Sequence, residues 1–289
     1  MRDTDVVIAL FFVVHWQLSV FFQSFFLHRY GAHRQFSMSK RAERCIHFLT
    51  WLVQGSSYLN PRAYAIMHRM HHAFSDTSRD PHSPISQPNF FRMMWQTKEI
   101  YERIKERRVA IEPRFEGGYP EWPLLDDKLS TMTIAVLWGV VYTAIYVAFA
   151  THWWLFLLLP LHWTLGPVHG AIVNWAGHKL GYRNYESSDN SKNTLTFDVL
   201  TMGELFQNNH HKWSQSPNFA VRFFEIDPAY QMMRLLARLR VIDMSESQRA
   251  RWEPRRHGPA VMAAAPPSPT ASVGLPLPVP PAMPAMDGE

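Results

Sequence analysis

The chain has 289 residues, 47% of them apolar and 14% aromatic, with a formal net charge of +5 and a single cysteine. That composition allows a sizeable apolar core, and the lone Cys45 excludes internal disulfides and any multi-thiolate zinc or iron–sulfur site. A metal bound here must be held by nitrogen or oxygen.

The apolar residues come in blocks. The first, VVIALFFVVHWQLSVFFQSFF from Val6 to Phe26, is uncharged, and as a helix it spans roughly 31 Å, the thickness of a bilayer core. It is too long for the apolar core of a secretory signal and lacks a small-residue cleavage site, so it is expected to stay as a span over 6–26. A shorter block, Cys45 to Leu59, carries Gln54, Gly55, Ser56 and Ser57, which predicts an interfacial or re-entrant helix over 45–59. Another uncharged block runs from Leu129 to about Val173 with a break at Ala150 to Trp154, predicting a hairpin of two spans, 130–150 and 153–173. Three spans would put the short N-terminus outside.

Lys and Arg cluster beside these blocks: Arg29, Arg34, Lys40, Arg41 and Arg44 after the first, and Arg92, Lys98, Arg103, Lys105, Arg107 and Arg108 before the hairpin, whose turn has none. The positive charge therefore reads as a cytoplasmic face, not as a nucleic-acid surface. The stretch 98–108 reads as a solvated helix, with docking of an acidic carrier as its functional alternative. From about Trp252 to Glu289 the chain turns rich in Pro, Ala and Ser, predicting a disordered tail behind a catalytic domain over 1–245. The expected fold class is an all-α integral membrane protein, with few transmembrane helices capped by a cytoplasmic helical domain.

The chemistry lies in the histidines. Of 15, eight fall into four short stretches: HRYGAH with His28 and His33, HRMHH with His68, His71 and His72, NWAGH with His178, and QNNHH with His210 and His211. Positions i, i+3 and i+4 share one helix face, so His68, His71 and His72 converge, as do Gln207, His210 and His211, and Asn174 with His178. His28 and His33 differ by five, about 140° apart on an ideal α-helix, and can converge only if that helix ends near Gly31. The isolated His15, His47, His162 and His169 are expected to be ordinary hydrogen-bonded core or interfacial residues. Eight imidazoles exceed one zinc site or one haem, which points to two metal ions. Imidazole suits zinc, copper and iron alike. A membrane haem protein or another metal-binding membrane protein is the competing class, disfavoured because the clusters lie at membrane edges.

The stretches HRYGAHR, HRMHHAFSDTSRDPHSP, NWAGHKLGYRNYESSDNSKN and GELFQNNHHKW closely resemble, in order and spacing, the histidine boxes of membrane-bound fatty acid desaturases of the acyl-CoA delta-9 type. The resemblance covers roughly residues 10–240. It implies a di-iron centre with O2 as oxidant, in which His28, His33, His68, His71, His72, His178, His210 and His211 bind iron. Asn174 then suits an iron-bound water, and Asp76, Asp80 and Asp189 suit partners of imidazole N–H groups. The implied reaction introduces a cis double bond into a long-chain fatty acyl substrate, expected as a thioester. A related hydroxylase or decarboxylase needs the same ligands. No haem-binding H-P-G-G stretch is fused to the chain, so a separate electron donor is implied, such as ferredoxin or a cytochrome b5-type protein with its reductase. The expected location is a bacterial inner membrane, with the active site on the cytoplasmic side.

The chain departs from the family pattern in three places. Gln207 stands where the family usually has histidine and reads as a working variant, a weak ligand or a neighbour of bound water. One span precedes the first box where relatives have a hairpin. Tyr64 and Met67 replace a tryptophan and an acidic residue, which leaves CoA-, carrier- and lipid-linked chains all open.

Overall fold

A computed structural model of the chain describes residues 3–85 and 87–245. Helix α1 (Asp3–Phe22) runs without a break into a π-helical segment, Gln23–Ala32. Next come α2 (Lys40–Gln54), a 3₁₀ turn (Gly55–Ser57), α3 (Pro61–Phe74) and α4 (Phe90–Lys105). The second half holds α5 (Met132–Phe149), a 3₁₀ segment (Trp153–Leu158), α6 (Leu159–Trp163), α7 (Leu165–Lys179), α8 (Gln207–Lys212) and α9 (Pro228–Arg238). The only β-structure with named strands among the described residues is a two-residue ribbon, Ser37–Met38 against Ile242–Asp243. The described residues belong to one compact unit; the tail expected over 252–289 lies outside them.

Helix starts follow local chemistry. Ser39, Asn60, Asn89, Thr131 and Asp227 each accept a hydrogen bond from the amide three residues on, at the heads of α2, α3, α4, α5 and α9, and Pro61 and Pro228 occupy first-turn positions where no donor is needed.

Among the described residues, two helices are long and apolar enough to cross a membrane, Thr4–Ala32 and Met132–Phe149. The second arm of the expected hairpin is not one straight helix: Trp153–Trp163 and Leu165–Lys179 meet at a 75° bend. Thr164 at the bend has φ −130° and ψ 23°, outside the α-helical basin, so the arm is a broken helix, the shape of an interrupted span or a re-entrant segment. The block expected over 45–59 is the C-terminal two-thirds of α2 plus the 3₁₀ turn. In α2, Glu43, Ile46, His47, Thr50 and Gln54 are buried at helical spacing, the pattern of a helix lying on the protein with one face.

The helical segment ends at Ala32, beside Gly31, but it is a π segment rather than an α-helix that carries the two histidines. The His33 amide bonds the His28 carbonyl at 3.1 Å. Closing each turn over five residues places His28 and His33 on one face, which an α-helix would not. The buried Arg29 anchors this segment: its Nη2 donates to Asp227 Oδ2 at 2.9 Å, Nη1 donates to Ser24, and the guanidinium lies 4.0 Å from the Phe219 ring centroid. Around it pack Phe25, Phe26, Leu27, Phe36, Ile46 and Met233.

Isolated histidines become core pairs. His15 Nδ1 lies 2.7 Å from His162 Nδ1, and His47 Nε2 lies 2.9 Å from Asp126.

Gly55 closes α2 at φ 50°, and a Cβ there would stand 1.8 Å from Tyr142 Oη on α5. Gly55→Ala should therefore destabilise the fold by about 1–3 kcal/mol from backbone strain alone, with the clash added. Tyr142→Phe should relieve only the clash, so the double variant is expected to melt between Gly55→Ala and the parent in detergent. A Gly55→Ala protein melting with the parent would contradict this packing.

Candidate metal centre

Four segments deliver the predicted histidines to one place. His28 comes from the π segment and His33 from its end; α3 supplies His68, His71 and His72, α7 supplies His178, and α8 supplies His210 and His211. They sort into two groups, five with converging nitrogens (His28, His33, His68, His72, His210) and three (His71, His178, His211). The groups touch: the rings of His72 and His211 are 4.5 Å apart.

Each imidazole of the smaller group has its Nδ1 against a carboxylate: His71 on Asp80 at 2.9 Å, His178 on Asp76 at 3.1 Å, and His211 on Asp189 at 2.6 Å. In the larger group His28 Nδ1 meets Glu204 at 2.5 Å. An ionised carboxylate only accepts hydrogen bonds, so the proton of each ring sits on Nδ1 and Nε2 carries a bare lone pair. Those lone pairs face one another. His71 Nε2 is 3.2 Å from His211 Nε2; in the larger group His28 Nε2 lies 3.1 Å from the Nε2 of His210, a ring with no carboxylate on its Nδ1. Two lone pairs at that distance repel unless a cation lies between them, and nitrogens bound about 2.0–2.1 Å from one metal sit about 3 Å apart when adjacent. The residues therefore fit two metal ions. An all-nitrogen donor set suits zinc, copper or iron and disfavours magnesium and calcium.

The aspartates are held by their own chain turns. Asp80 also accepts from the Asp76 and His82 amides, and Asp76, at φ 61°, accepts from the Asn190 amide and Ser83. The two asparagines of QNNHH lock the loop that carries Asp189. Asn208 Oδ1 accepts from the amides of Asn184 and Tyr185, and Asn209 bonds Asn184, Asn193, Phe219 and Glu225.

Burial and the charges of neighbouring imidazoles push His33, His68, His72 and His210 well below 6.5. Burial takes His211 to about 4, although Asp189 opposes it. Burial also works against a charged His71, but Asp80 overcomes it and raises that ring. Burial would raise the acids, yet hydrogen bonds from His178, Asn190 and Ser83 hold Asp76 at about 2, and His28 and Arg29 hold Glu204 at about 2.

Two of the predicted residues stand beside the nitrogens. Gln207 donates through Nε2 to the Glu204 carbonyl at 2.7 Å. Its side chain lies against Gly177, where a Cβ would fall 2.4 Å from Gln207 Cγ, next to His178. Asn174 donates to the Gly170 carbonyl at 2.8 Å.

Sequence reasoning missed Glu204, His82 and Arg29. Glu204 precedes Gln207 by three residues and was visible only as part of GELFQ. His82 is buried, and one of its ring nitrogens lies with a nitrogen of His71 and a carboxylate oxygen of Asp80; its clue was the DPH run. His169, expected to be an ordinary core residue, is buried and lines the cavity described next.

A cavity of about 970 Å³ reaches the centre at His28, His68, Asn174, Glu204 and Gln207 and runs out between α4, α5 and α7 past Tyr64, Met67, Met93, Val136 and Val173. A second, polar opening of about 490 Å³ is lined by His72, Asp189, His211 and Lys212. The centre thus has an apolar side and a water side.

The family model for fatty acid desaturase matches residues 6–246. The chain belongs to the fatty acid desaturase family. This desaturase is 31% identical over 222 residues to the Delta-9 desaturase-like 5 protein of Arabidopsis thaliana, covering 73% of this chain and 68% of the relative. It is 29% identical to the sn-1 stearoyl-lipid 9-desaturase of Synechocystis sp., over 73% of this chain and 63% of that one. It is also 25% identical to the hex-5-enoyl-[acyl-carrier protein] acetylenase of Moorena producens, over 78% and 73%. The enzyme is a desaturase of fatty acyl chains, and its histidine clusters are compatible with the metal that the chemistry needs.

Two expectations follow. Asp80→Asn or Asp189→Asn should weaken metal binding about 10–100-fold, as loss of a carboxylate behind a ligand does, measured by chelator competition; unchanged retention would remove the aspartates from the centre. The metal-free desaturase should lose stability as pH falls below about 6.5, because unfolded imidazoles protonate there while the depressed buried rings do not, so the unfolded state binds more protons. Asp76 and Glu204, both at about 2, stay ionised through that window, and their stabilisation, full above the ordinary carboxylate range, is lost only as pH falls towards 2. Melting temperatures of chelated protein from about pH 7.5 to about 5 check the sign.

Proposed function

We propose that this desaturase introduces a cis double bond into a long-chain fatty acyl substrate, using O2, two iron ions and electrons from a separate carrier such as ferredoxin or a cytochrome b5-type protein with its reductase. The observation that carries this reading is the apolar cavity ending against the facing imidazoles. Such a shape takes an alkyl chain and sets a methylene pair beside the metal positions. A stearoyl chain in the name of one relative agrees with a cavity of about 970 Å³.

In this reading His28, His33, His68, His72 and His210 hold one iron, and His71, His178 and His211 hold the other. Asp76, Asp80, Asp189 and Glu204 keep the protons on Nδ1 and aim Nε2 at the ions. Gln207 takes the place of a further ligand, its oxygen offered at the cavity wall, and Asn174 offers an acceptor for bound water from the opposite helix. The bound iron pair supplies the oxidising chemistry: two hydrogens leave adjacent methylenes and, with two electrons and two protons from the donor side, reduce O2 to two waters. The protein's part is to fix the chain, exclude water along the cavity and admit electrons and protons from the polar side at His72 and His211. The basic residues flanking the spans support a centre on the cytoplasmic face of a bacterial inner membrane.

Lipid analysis of a desaturase-deficient host expressing the chain tests the reading. The parent should yield a new monoene, His211→Ala none, and Gln207→His no less than about a tenth of the parent if glutamine is a working substitute. A hydroxylated chain in place of a monoene would move the activity to the related hydroxylase class. Product from Gln207→His alone would mark the glutamine as impairing.

A further inference from the structure

We infer that two loops, 195–200 between α7 and α8 and 222–226 between α8 and α9, form one apolar face that dips into the bilayer and anchors the metal-holding half there. This surface lies outside the apolar blocks of the sequence, and the inference does not depend on the reaction. Phe197, Val199, Leu200, Phe223, Phe224 and Ile226 are all exposed, Phe223 at 98%. They form one patch, because Phe197 bridges to Ile226 and the Ile226 amide donates to the Thr196 carbonyl at 3.3 Å. Large apolar side chains grouped in this way mark a surface that something covers.

The contacts of the first loop decide what covers it. Trp16, near the middle of the first membrane-length helix, donates its indole N–H to the Leu200 carbonyl at 2.9 Å. Met202 packs on Trp16, Val20 and Leu165. The loop therefore lies alongside a span, at a depth where irregular backbone survives only if its polar groups find partners in the protein. Asp198 supplies them. Its buried carboxylate accepts from the amides of Thr201 at 2.9 Å, Gly203 at 3.1 Å and Leu205 at 2.9 Å, and from the Thr201 hydroxyl. Charge and donors are thus turned inward while Phe197, Val199 and Leu200 stay outside, the reverse of what a turn in water needs. At the edge of the patch stand the exposed Arg183 and Arg222, the latter held by Asn184 at 2.9 Å. Cations beside an apolar face suit the anionic headgroups above it. A soluble partner would have to pass those headgroups to reach Leu200, whereas lipid is already there.

The test uses the full chain, its single thiol removed by Cys45→Ser, in vesicles of phosphatidylethanolamine and phosphatidylglycerol. A nitroxide is attached at Val199→Cys or Phe223→Cys, and its collisions with O2, which favours hydrocarbon, are compared with those of a water-soluble nickel chelate. Leu10→Cys, exposed on α1, marks hydrocarbon, and Glu186→Cys, exposed at the polar opening, marks water. Both loop labels should behave like the Leu10 label, with the Phe223 label about 5–10 Å inside the headgroup boundary, the depth of an interfacial apolar face. Two loop positions keep the test usable if one variant fails to fold. Nickel access as high as at Glu186 overturns the proposal. Loss of access to both reagents also overturns it, because protein then covers the face, and spin–spin broadening between labels would identify that cover as a second copy. None of these outcomes depends on turnover, so failure of the desaturase reading would leave this one standing.

Discussion

The structure turns on bare imidazole nitrogens that face one another at about the spacing of ligands on one metal. Neutral rings are free to flip and to exchange protons between their nitrogens, so such an array holds its aim only if something fixes each ring from behind. For His28, His71, His178 and His211 the fixing is done by buried carboxylates on Nδ1. Those carboxylates are in turn tied to backbone amides, serines and an arginine, so the loops of 76–83 and 184–193 are part of the centre. The QNNHH asparagines belong to the same support: they hold the loop whose Asp189 orients His211.

The two halves of the centre are unequal. Five rings share one carboxylate contact, while three rings have one each. The smaller group carries more negative charge and fewer nitrogens, and Gln207 lies beside it across Gly177. The apolar cavity meets the larger group at His28 and His68, while the polar opening meets the smaller one at His211.

The membrane part explains how an apolar chain and a polar centre meet. The broken helix α6–α7 brings His178 down from a span to the centre while its bend leaves room beside α5. The π segment does the corresponding work for the first span, converting a stretch that enters as membrane helix into one that presents two ligands five residues apart. Arg29, buried with Asp227 and Glu204, stabilises that distortion from the far side, and removing one partner of such a pair is far costlier than never having had it.

The sequence by itself determined the helical class, the apolar blocks and the histidine groups of α3 and α8, because i, i+3, i+4 spacing and charge-free runs are local properties that the chain carries wherever it is folded, while the three aspartates were legible only through the family resemblance. The partition into five and three rings, the role of Glu204, and the cavity depend on contacts between residues far apart in the chain, which no spacing records. The first histidine pair shows the boundary most sharply. Five residues apart, His28 and His33 diverge on an α-helix, and only the packing of Arg29 and its neighbours selects the wider turn that brings them together. The bend at Thr164 and the opening between α4, α5 and α7 were likewise decided by tertiary structure, since an uncharged run fixes that a segment prefers hydrocarbon but not where it breaks or what it leaves uncovered.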